Sequence, residues 1–349
     1  MQTANLQEFL KLRVRERCLP LVQDGRLLAL VYAQQLDRPL LERLFTLADR
    51  VRELSHIHQG RLFLRSLLAD RRAMLYFTQP SSRTFLSFAA ACHILGMTTS
   101  NVRDPAVSSE AKGETREDAL RIFSVYHDLI IMRQPDGGFC EKIALQMLSW
   151  PGKKPIINGG SGADQHPTQA LLDLYTLKRH FAEGGIDRKR IMLVGDLKRG
   201  RTARSLAYLL TNYQGVELIF AAPADLAMSD DIKDHLVENG TPFVETEDMQ
   251  GYLSKVDAIY MTRIQDEWDH GTKAKTAIDY GRFGLRAEHL QILKPTCAIL
   301  HPLPRRAEIE TAIDADPRAV YFEQAENGMW IRAALIAHMF AAEQNILSY

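Results

Sequence analysis

The feature that most constrains the fold of this chain is a regular alternation of short apolar runs with longer stretches in which apolar residues recur at helical spacing. Residues 73–77 form one apolar run, and helical spacing precedes it at residues 37–54 and follows it at residues 85–95. Gly96 stands where a left-handed C-terminal cap would end the second helix. The alternation predicts an α/β protein in which helical crossovers join parallel strands.

The same unit recurs through the rest of the chain. Strands are predicted at residues 129–133, 155–158, 190–194, 216–221, 258–261 and 297–300, and helices at residues 120–127, 170–180, from 201 onward and at 329–347. The pattern restarts after Gly184 and Gly185, and the chain is about twice the usual size of one domain. We therefore predict two domains, each with a parallel sheet flanked by helices. Residues 1–30 carry no interpretable signal.

Charge and cysteine usage exclude several classes of function. Lysine plus arginine number 43, as do aspartate plus glutamate, so the chain has no overall field to attract nucleic acid or an anionic membrane surface. The four cysteines show no CxxC or metal-ligand spacing. Three of them lie in apolar stretches, where we expect core thiols, and the compartment is expected to be reducing. Because the sequence shows neither an apolar leader nor about 20 consecutive apolar residues, we expect a cytoplasmic protein.

Polar clusters follow several of the predicted strands, and parallel sheets bind their ligands at such positions. The first cluster is the run Ser81-Ser82-Arg83-Thr84, which lies between a strand and a helix. Its hydroxyls and backbone N–H groups can surround a phosphate while Arg83 grips it. When this motif is taken alone, an ordinary serine cap is the commoner explanation.

The second cluster is the run His166-Pro-Thr-Gln169. Proline suits the first turn of a helix, which places His166 at the helix entry and Gln169 one turn further on. Both side chains can then reach a ligand at the helix N-terminus. A lone histidine in this position is more often a capped surface residue than a catalyst.

The third cluster is Gly195-Asp-Leu-Lys-Arg-Gly-Arg-Thr, which invites comparison with the phosphate-binding GxxxxGK[ST] loop. Arg201 replaces the lysine of that loop, and Asp196 would put a carboxylate beside the phosphates, so nucleotide binding is disfavoured. Arg201 is better suited to a substrate carboxylate. The last two predicted strands are followed by Arg263, Gln265 and the run His301-Pro-Leu-Pro-Arg, which are ambiguous when taken singly.

Taken together with Ser108-Ser-Glu-Ala-Lys112 and Arg133, these clusters resemble, in order and spacing, the transcarbamylase family from Asp37 to the C-terminus. The run at residues 81–84 is similar to the family's S-T-R-T carbamoyl phosphate motif, with Ser82 where threonine is usual. The resemblance implies a carbamoyl phosphate-binding domain at residues 1–167 plus 328–349 and an aspartate-binding domain at residues 168–327.

The resemblance also implies the ligands of the site. Carbamoyl phosphate would be bound by Ser81, Ser82, Arg83, Thr84, Ser108, Lys112, Arg133, His166, Gln169 and Leu303, and aspartate by Lys112, Arg201, Arg263, Gln265, Leu303 and Pro304. Thr84, Arg133 and His166 would be catalytic, because they would stabilise the developing oxyanion. No metal or cofactor is implied. A neighbouring subunit of a homotrimer, alone or in a larger assembly, would donate Ser108 and Lys112.

Three motifs indicate the acceptor. Family members that use aspartate read GDLKxGRT, MTRxQ and HPLPR, as this chain does, whereas ornithine enzymes carry D-x-x-x-S-M-G and HCLP, neither of which is present. The predicted reaction is transfer of a carbamoyl group from carbamoyl phosphate to L-aspartate, an early step of pyrimidine biosynthesis. The sequence departs from the family pattern at Gln79, Phe85, Ser161 and Trp268. The departures at Gln79, Phe85 and Trp268 leave open a different amino or amide acceptor, and a catalytically silent assembly subunit is the other alternative.

Overall fold

The computed structural model describes residues 9, 11–104, 109–162, 165–263 and 280–349. The chain divides into two compact units, one formed by Met1–Leu171 with Gly328–Tyr349 and the other by Leu172–Asn327. Both points of division fall inside helices, Pro167–Phe181 and Tyr321–Met339. The chain therefore passes from one unit to the other twice without leaving helical structure.

The first unit is built on a parallel sheet. Its strands are β1 (Val22–Gln23), β2 (Arg26–Leu27), β3 (Ala29–Leu30), β4 (Arg72–Phe77), β5 (Thr98–Val102), β6 (Leu129–Arg133) and β7 (Ile156–Asn158). The sheet has the order β3-β7-β6-β4-β5 with every neighbouring pair parallel, whereas β1 and β2 form an antiparallel hairpin. From β4 the chain adds β5 on one side and then β6 and β7 on the other, so the connections reverse direction between β4 and β6.

The second unit repeats this plan with its own parallel sheet. Its strands are β8 (Arg190–Val194), β9 (Glu217–Ala221), β10 (Phe243–Thr246), β11 (Ala258–Met261) and β12 (Ala298–Leu300). Their order is β10-β9-β8-β11-β12, again with every neighbouring pair parallel. Here the connections reverse between β8 and β11. In both units the central strands are buried along almost their whole length, as expected for a sheet covered on both faces.

The helices begin and end where the sequence supplies the local chemistry. They are α1 (Val14–Cys18), α2 (Arg38–His56), α3 (His58–Ser66), α4 (Ser82–Ile94), α5 (Arg116–Tyr126), α6 (Phe139–Met147), α7 (Pro167–Phe181), α8 (Arg201–Leu210), α9 (Asp230–Glu238), α10 (Tyr280–Phe283), α11 (Tyr321–Met339) and α12 (Glu343–Ser348). Asp37 caps α2, because its carboxylate accepts the N–H of Leu40 at 2.9 Å. The buried residues of α2 recur at helical spacing, as the sequence predicts.

The predicted α/β class and the predicted strands of both sheets are confirmed, and most boundaries agree within a residue or two. The helix expected at residues 85–95 begins earlier, at Ser82, so the Ser-Ser-Arg-Thr run is its first turn. The single helix expected at residues 329–347 is wrong. α11 ends at Met339, Ala341 adopts a left-handed φ of +59°, and α12 starts as a separate helix.

The four cysteines, all of which lie in described segments, are buried as thiols. Burial raises the pKa of the Cys92 and Cys297 thiols to about 12, which leaves them protonated and unreactive at neutral pH. They act as small apolar core residues, as the sequence predicts. Within the segments that the structure describes, no helix is both long and apolar enough to cross a bilayer.

Gly96 and Gly240 offer a matched test of backbone packing. Both follow a helix C-cap with positive φ, +84° and +65°. A Cβ atom at Gly96 would lie 1.8 Å from the carbonyl oxygen of Arg65, whereas at Gly240 no described heavy atom lies within 4 Å. We expect Gly96→Ala to lower the free energy of unfolding by at least about 2 kcal/mol and Gly240→Ala by only about 1 kcal/mol, as measured by chemical denaturation. Equal losses would contradict the close approach at Gly96.

Candidate active site

The connections of the first sheet reverse direction between β4 and β6. This brings Arg133 and the Ser-Ser-Arg-Thr run to the carboxyl edge of the sheet. β4 and β6 pair so that Phe77 lies opposite Arg133, the last residue of each strand. Just beyond the strand, the N–H of Gln79 donates to the carbonyl oxygen of Arg133 at 3.2 Å. Arg133 and the Ser-Ser-Arg-Thr turn that opens α4 therefore emerge side by side, at the position where parallel sheets bind ligands.

The first turn of α4 carries the kinds of donor group that an anion requires. Ser81 is the N-cap residue, and within the described part of the chain its hydroxyl makes no capping hydrogen bond, so the ordinary cap does not explain this serine. Ser82 and Arg83 are exposed, whereas Thr84 is buried. The N–H groups of the first helical turn have no intrahelical acceptors and carry the positive end of the helix dipole. An oxyanion at this terminus would gain backbone, hydroxyl and guanidinium donors together.

Arg133 and His166 converge on Gly160. Arg133 donates through Nη1 to the carbonyl oxygen of Gly159 at 3.2 Å. A Cβ atom on Gly160, where φ is +94°, would lie 2.7 Å from His166 Nε2 and 2.9 Å from Arg133 Nη1. Only glycine leaves room there, so its missing side chain lets the imidazole and the guanidinium share one small region. His166 is almost fully buried, at 3% exposure.

The loop that carries Gly160 is anchored by residues whose role the sequence did not reveal. Asn158 is buried, and its side-chain oxygen accepts the N–H groups of Gly160 and Ser161, each at 2.8 Å. The Ser161 hydroxyl accepts the N–H of Gln134 at 3.3 Å and lies 3.5 Å from the carbonyl oxygen of Met132. Ser161, a departure from the family pattern, is therefore a loop-anchoring residue. Asn158 could have been found only from its place at the end of a strand.

The other predicted residues of this unit are placed differently. Gln169 is buried in the first turn of α7, where its N–H donates to the carbonyl oxygen of His166 at 3.0 Å. Lys112 is exposed at the end of a short 3₁₀ turn, Ser109–Lys112, and the described contacts do not join it to Arg133 or His166. The turn is held by Tyr76, whose hydroxyl donates to Glu110 at 2.6 Å. Ser108 lies outside the described residues.

The point at which the connections of the second sheet reverse places two predicted arginines on adjoining loops. β8 and β11 pair so that Val194 lies opposite Met261, and Gly195 follows with a φ of +110°. A Cβ atom there would lie 2.4 Å from the carbonyl oxygen of Thr262, so the loop after β8 packs directly on the turn after β11. Arg201 opens α8 and Arg263 follows Thr262, and both are partly buried. Gln265 lies outside the described residues.

Asp196 determines the shape of the loop after β8. It is completely buried and accepts hydrogen bonds from the backbone N–H of Arg199 at 3.1 Å and from its side-chain Nε at 2.8 Å. A Cβ atom on Gly200 would lie 2.3 Å from the carbonyl oxygen of Asp196. The carboxylate therefore folds the loop on itself and binds the N–H of Arg199, a backbone donor of the kind that a phosphate-binding loop uses.

A buried polar chain that the sequence did not reveal supports the end of β12. The side-chain amide of Gln324 on α11 donates to Asp173 on α7 at 2.6 Å. Its side-chain oxygen accepts the N–H of His301 at 2.9 Å. Burial, and then the charge of Asp173, raise the pKa of Tyr260 on β11 well above its ordinary value, which keeps that hydroxyl neutral. The run that begins at His301 is thus attached to two helices beneath the sheet edge.

The HPLPR run follows β12, the strand beside β11, at the same edge of the second sheet. Leu303 has a φ of +51°, and its bond to Pro304 is cis. The guanidinium of Arg305 binds Asp314, with Nη2 2.6 Å from Oδ2, and donates to the Tyr321 hydroxyl at 3.0 Å. The hydrogen bond from Arg305 lowers the pKa of Asp314, so this ion pair persists into mildly acidic solution. Arg305 anchors the turn that presents Leu303 and Pro304.

The two edges carry complementary chemistry. The first unit groups hydroxyls, helix N–H donors, a guanidinium and an imidazole, as an oxyanion requires. The second groups two guanidinium side chains on adjoining loops, as a dicarboxylate requires. Among the described residues, no group of three or more histidine, cysteine or acidic side chains could hold a metal ion.

Known proteins resemble this chain along most of its length. The model for the carbamoyl-P binding domain of aspartate/ornithine carbamoyltransferase matches residues 29–179, and that for the Asp/Orn binding domain matches residues 187–339. Aspartate carbamoyltransferase 1, chloroplastic, of Pisum sativum is 40% identical over 310 residues, which cover 88% of this chain and 77% of that protein.

Solved structures agree with these matches. Aspartate transcarbamoylase from Trypanosoma cruzi in complex with carbamoyl phosphate is 33% identical, with a TM-score of 0.80 over 88% of this chain and 94% of that one. The catalytic subunit of M. Jannaschii aspartate transcarbamoylase is 34% identical, with a TM-score of 0.78 over 90% of this chain and 99% of that one.

Binding of an oxyanion at the carboxyl edge of the first sheet is testable with inorganic phosphate alone. Arg133→Ala removes a charged donor worth about 1.5–3 kcal/mol, so the Kd for phosphate should rise by about 10- to 100-fold. Arg50→Ala is the control, because Arg50 is a surface residue paired with Glu53 at 2.9 Å on α2. Its Kd should stay at the wild-type value. Calorimetric titration measures both, and an unchanged affinity in Arg133→Ala would refute this assignment.

Proposed function

The chain belongs to the aspartate/ornithine carbamoyltransferase family, and from this premise we propose that it is an aspartate carbamoyltransferase. The enzyme transfers the carbamoyl group of carbamoyl phosphate to L-aspartate, giving N-carbamoyl-L-aspartate and phosphate, an early step of de novo pyrimidine biosynthesis. The observation that carries the choice of acceptor is the placement of Arg201 and Arg263 on adjoining loops at the reversal point of the second sheet. Two guanidinium groups suit the two carboxylates of aspartate, whereas ornithine has only one carboxylate.

Carbamoyl phosphate is assigned to the first unit. Its phosphate group takes the N-terminus of α4 with Ser81, Ser82, Arg83 and Thr84. Arg133, Ser108 and Lys112 complete this set. Its carbamoyl group is held by Arg133, His166, Gln169 and the carbonyl oxygen of Leu303. The short distances of His166 Nε2 and Arg133 Nη1 from the Cβ position of Gly160 support this assignment, since one carbonyl oxygen can take a hydrogen bond from each.

Aspartate is assigned to Lys112, Arg201, Arg263, Gln265, Leu303 and Pro304. The cationic side chains bind its carboxylates and Gln265 orients it, so the neutral amine faces the carbonyl carbon of carbamoyl phosphate. The domain boundaries follow the same division, with carbamoyl phosphate bound by residues 1–167 plus 328–349 and aspartate by residues 168–327.

The reaction requires no covalent enzyme intermediate. The amine nitrogen of aspartate forms a bond to the carbonyl carbon, and the carbonyl electrons move onto oxygen. Thr84, Arg133 and His166 donate hydrogen bonds to that developing oxyanion. When the carbonyl reforms, the carbon–oxygen bond to phosphate breaks and phosphate departs with the bonding electrons. The amine loses one proton, which the departing phosphate dianion can accept.

The assembly is proposed to be a homotrimer in which a neighbouring subunit supplies Ser108 and Lys112. An exposed apolar stripe on α5 supports this proposal. Ile122, Val125 and Tyr126 are 45%, 69% and 57% exposed, and their spacing places them on one face of the helix. α5 begins directly after the turn that carries Lys112, so a second copy that covers the stripe would also receive this lysine.

The proposed compartment is the cytoplasm. Four cysteines kept as buried thiols suit a reducing environment, where disulfides are rare. The pea relative is named chloroplastic, and that word applies to the relative.

The proposed function predicts a clear choice of acceptor. Given carbamoyl phosphate, the enzyme should release phosphate rapidly with L-aspartate and at most feebly with L-ornithine, because Arg201 and Arg263 require a second carboxylate. A panel of amino acids assayed for phosphate release measures this directly. A preference for ornithine would sink the proposal, and no turnover with any amine would favour the silent-subunit alternative.

Variants at the carboxyl edges of the two sheets, at Arg263 and at His166, serve as matched controls for the acceptor assay. Arg263→Ala should raise the KM for aspartate steeply, since each charged hydrogen bond is worth about 1.5–3 kcal/mol, and Arg263→Lys should recover only part of the loss. His166→Ala should instead lower kcat by about 10²–10³, with aspartate affinity less changed. If Arg263→Ala kept normal aspartate saturation, the division of substrates between the two edges would be wrong.

The trimer predicts complementation between inactive chains. Chains carrying Lys112→Ala and chains carrying Arg83→Ala should each be nearly inactive alone. Random mixing at equal amounts should restore about a quarter of wild-type activity, because one in four sites would combine an intact Arg83 with an intact Lys112 of a neighbour. Activity is measured after the two chains are refolded together. A mixture no more active than its parents would rule out a shared site.

A further inference from the structure

A buried histidine–carboxylate pair lies directly beneath Leu303. The His301 side chain is 0% exposed and that of Glu308 2% exposed, and Nε2 of the imidazole is 2.8 Å from Oε1 of the carboxylate. The same oxygen accepts the backbone N–H of Arg306 at 3.0 Å. Burial opposes ionisation of Glu308, but the hydrogen bonds from His301 and Arg306 outweigh it and lower the pKa of this carboxyl. The carboxylate is therefore charged at neutral pH.

The carboxylate determines which nitrogen of the imidazole carries the proton. An ionised carboxylate can only accept hydrogen bonds, so Nε2 of His301 must be the donor to Glu308. At the other side of the ring, Nδ1 lies 2.7 Å from the backbone nitrogen of Leu303, whose N–H it can accept only when Nδ1 is not protonated. The backbone N–H of His301 is itself bound to Gln324. The ring is thus held at both of its nitrogens, and the backbone of the same residue is held by Gln324.

Leu303 is the residue that this arrangement controls. It adopts a left-handed φ of +51°, which a leucine rarely adopts without support from its surroundings. Pro302 and Pro304 flank it and have no N–H groups, so the N–H of Leu303 is the one backbone donor of this tripeptide. The hydrogen bond to His301 therefore fixes the peptide unit on the N-terminal side of Leu303, and it restrains the residue whose carbonyl group follows.

We infer that Glu308 and His301 are positioning residues, which hold Leu303 so that its carbonyl oxygen is preorganised for the substrate. The inference rests on the proposed function, which assigns that carbonyl oxygen to the carbamoyl nitrogen and to aspartate. Glu308 acts by fixing the imidazole tautomer, and His301 acts by binding the Leu303 N–H. Neither side chain touches substrate.

A purely structural ion pair would explain the burial but not the hydrogen bond to Leu303, and two substitutions separate these roles. In His301→Asn the side-chain oxygen occupies the position of Nδ1 and can still accept the Leu303 N–H, but it no longer reaches Glu308. In His301→Gln the polar group reaches the position of Nε2 and can still bind Glu308, but it leaves Leu303 without its acceptor. The two variants each keep one of the two hydrogen bonds.

The positioning role predicts that His301→Gln loses much more activity than His301→Asn. A displaced substrate contact costs about 10²-fold, so kcat/KM for carbamoyl phosphate should fall by about that factor in His301→Gln and by much less in His301→Asn. Thermal unfolding of both variants is measured in parallel. If activity followed the unfolding midpoint, or if His301→Gln were the more active variant, the pair would be structural and the inference would be overturned.

Hydrogen–deuterium exchange provides a readout that does not depend on the proposed reaction. The Leu303 amide, the only one between residues 302 and 304, should be protected in the wild-type enzyme and in His301→Asn and should exchange rapidly in His301→Gln. Equal exchange in all three proteins would overturn the inference even if the enzyme carbamoylates aspartate. Conversely, protection in this pattern without turnover of aspartate would refute the proposed function and leave the positioning of Leu303 standing.

Discussion

Parallel pairing between β4 and β6, and between β8 and β11, is the constraint on which the rest of the structure depends. Parallel strands end at a common edge, so residues far apart in the chain become neighbours as soon as the ladders form. Arg133 meets the first turn of α4 because it ends the strand beside Phe77. Arg263 meets the loop that carries Arg201 because Met261 pairs with Val194. In each sheet the direction of the connections reverses at this pair, which opens the edge to a ligand.

Two glycines allow groups from separate segments to approach each other closely at these sheet edges. Gly160 and Gly195 both have positive φ. A side chain at Gly160 would collide with the His166 ring, and one at Gly195 would collide with the carbonyl oxygen of Thr262. The absent side chains let charged or polar groups from separate segments approach closely. Asn158 and Asp196 then hold the loops in place through backbone N–H groups, at 2.8 Å and 3.1 Å.

Buried polar groups in the second unit fix the orientation of the turn that follows β12. Asp173 and Gln324 connect two helices to the N–H of His301, and Glu308 binds the ring of the same histidine. Such groups are costly to bury unless their partners are present, so each bond that is formed restrains the next. The consequence is a turn at Leu303 whose direction depends on residues that never contact a ligand. Substitutions at these buried positions can therefore change catalysis without removing any substrate contact.

The sequence by itself determined the α/β class, the central strands β4, β6, β8 and β11, and the motif residues that follow them. Apolar periodicity and local turn chemistry are encoded over a few neighbouring positions, so they can be read without the fold. The sequence could not show that the helix expected at residues 329–347 is broken by Ala341, nor explain Ser161, whose hydroxyl contacts residues 132 and 134. Asn158, Asp173, Gln324 and Glu308 were also beyond its reach. Each of them acts through a partner distant along the chain or through a backbone group, and the folded chain alone decides which buried donors and acceptors meet.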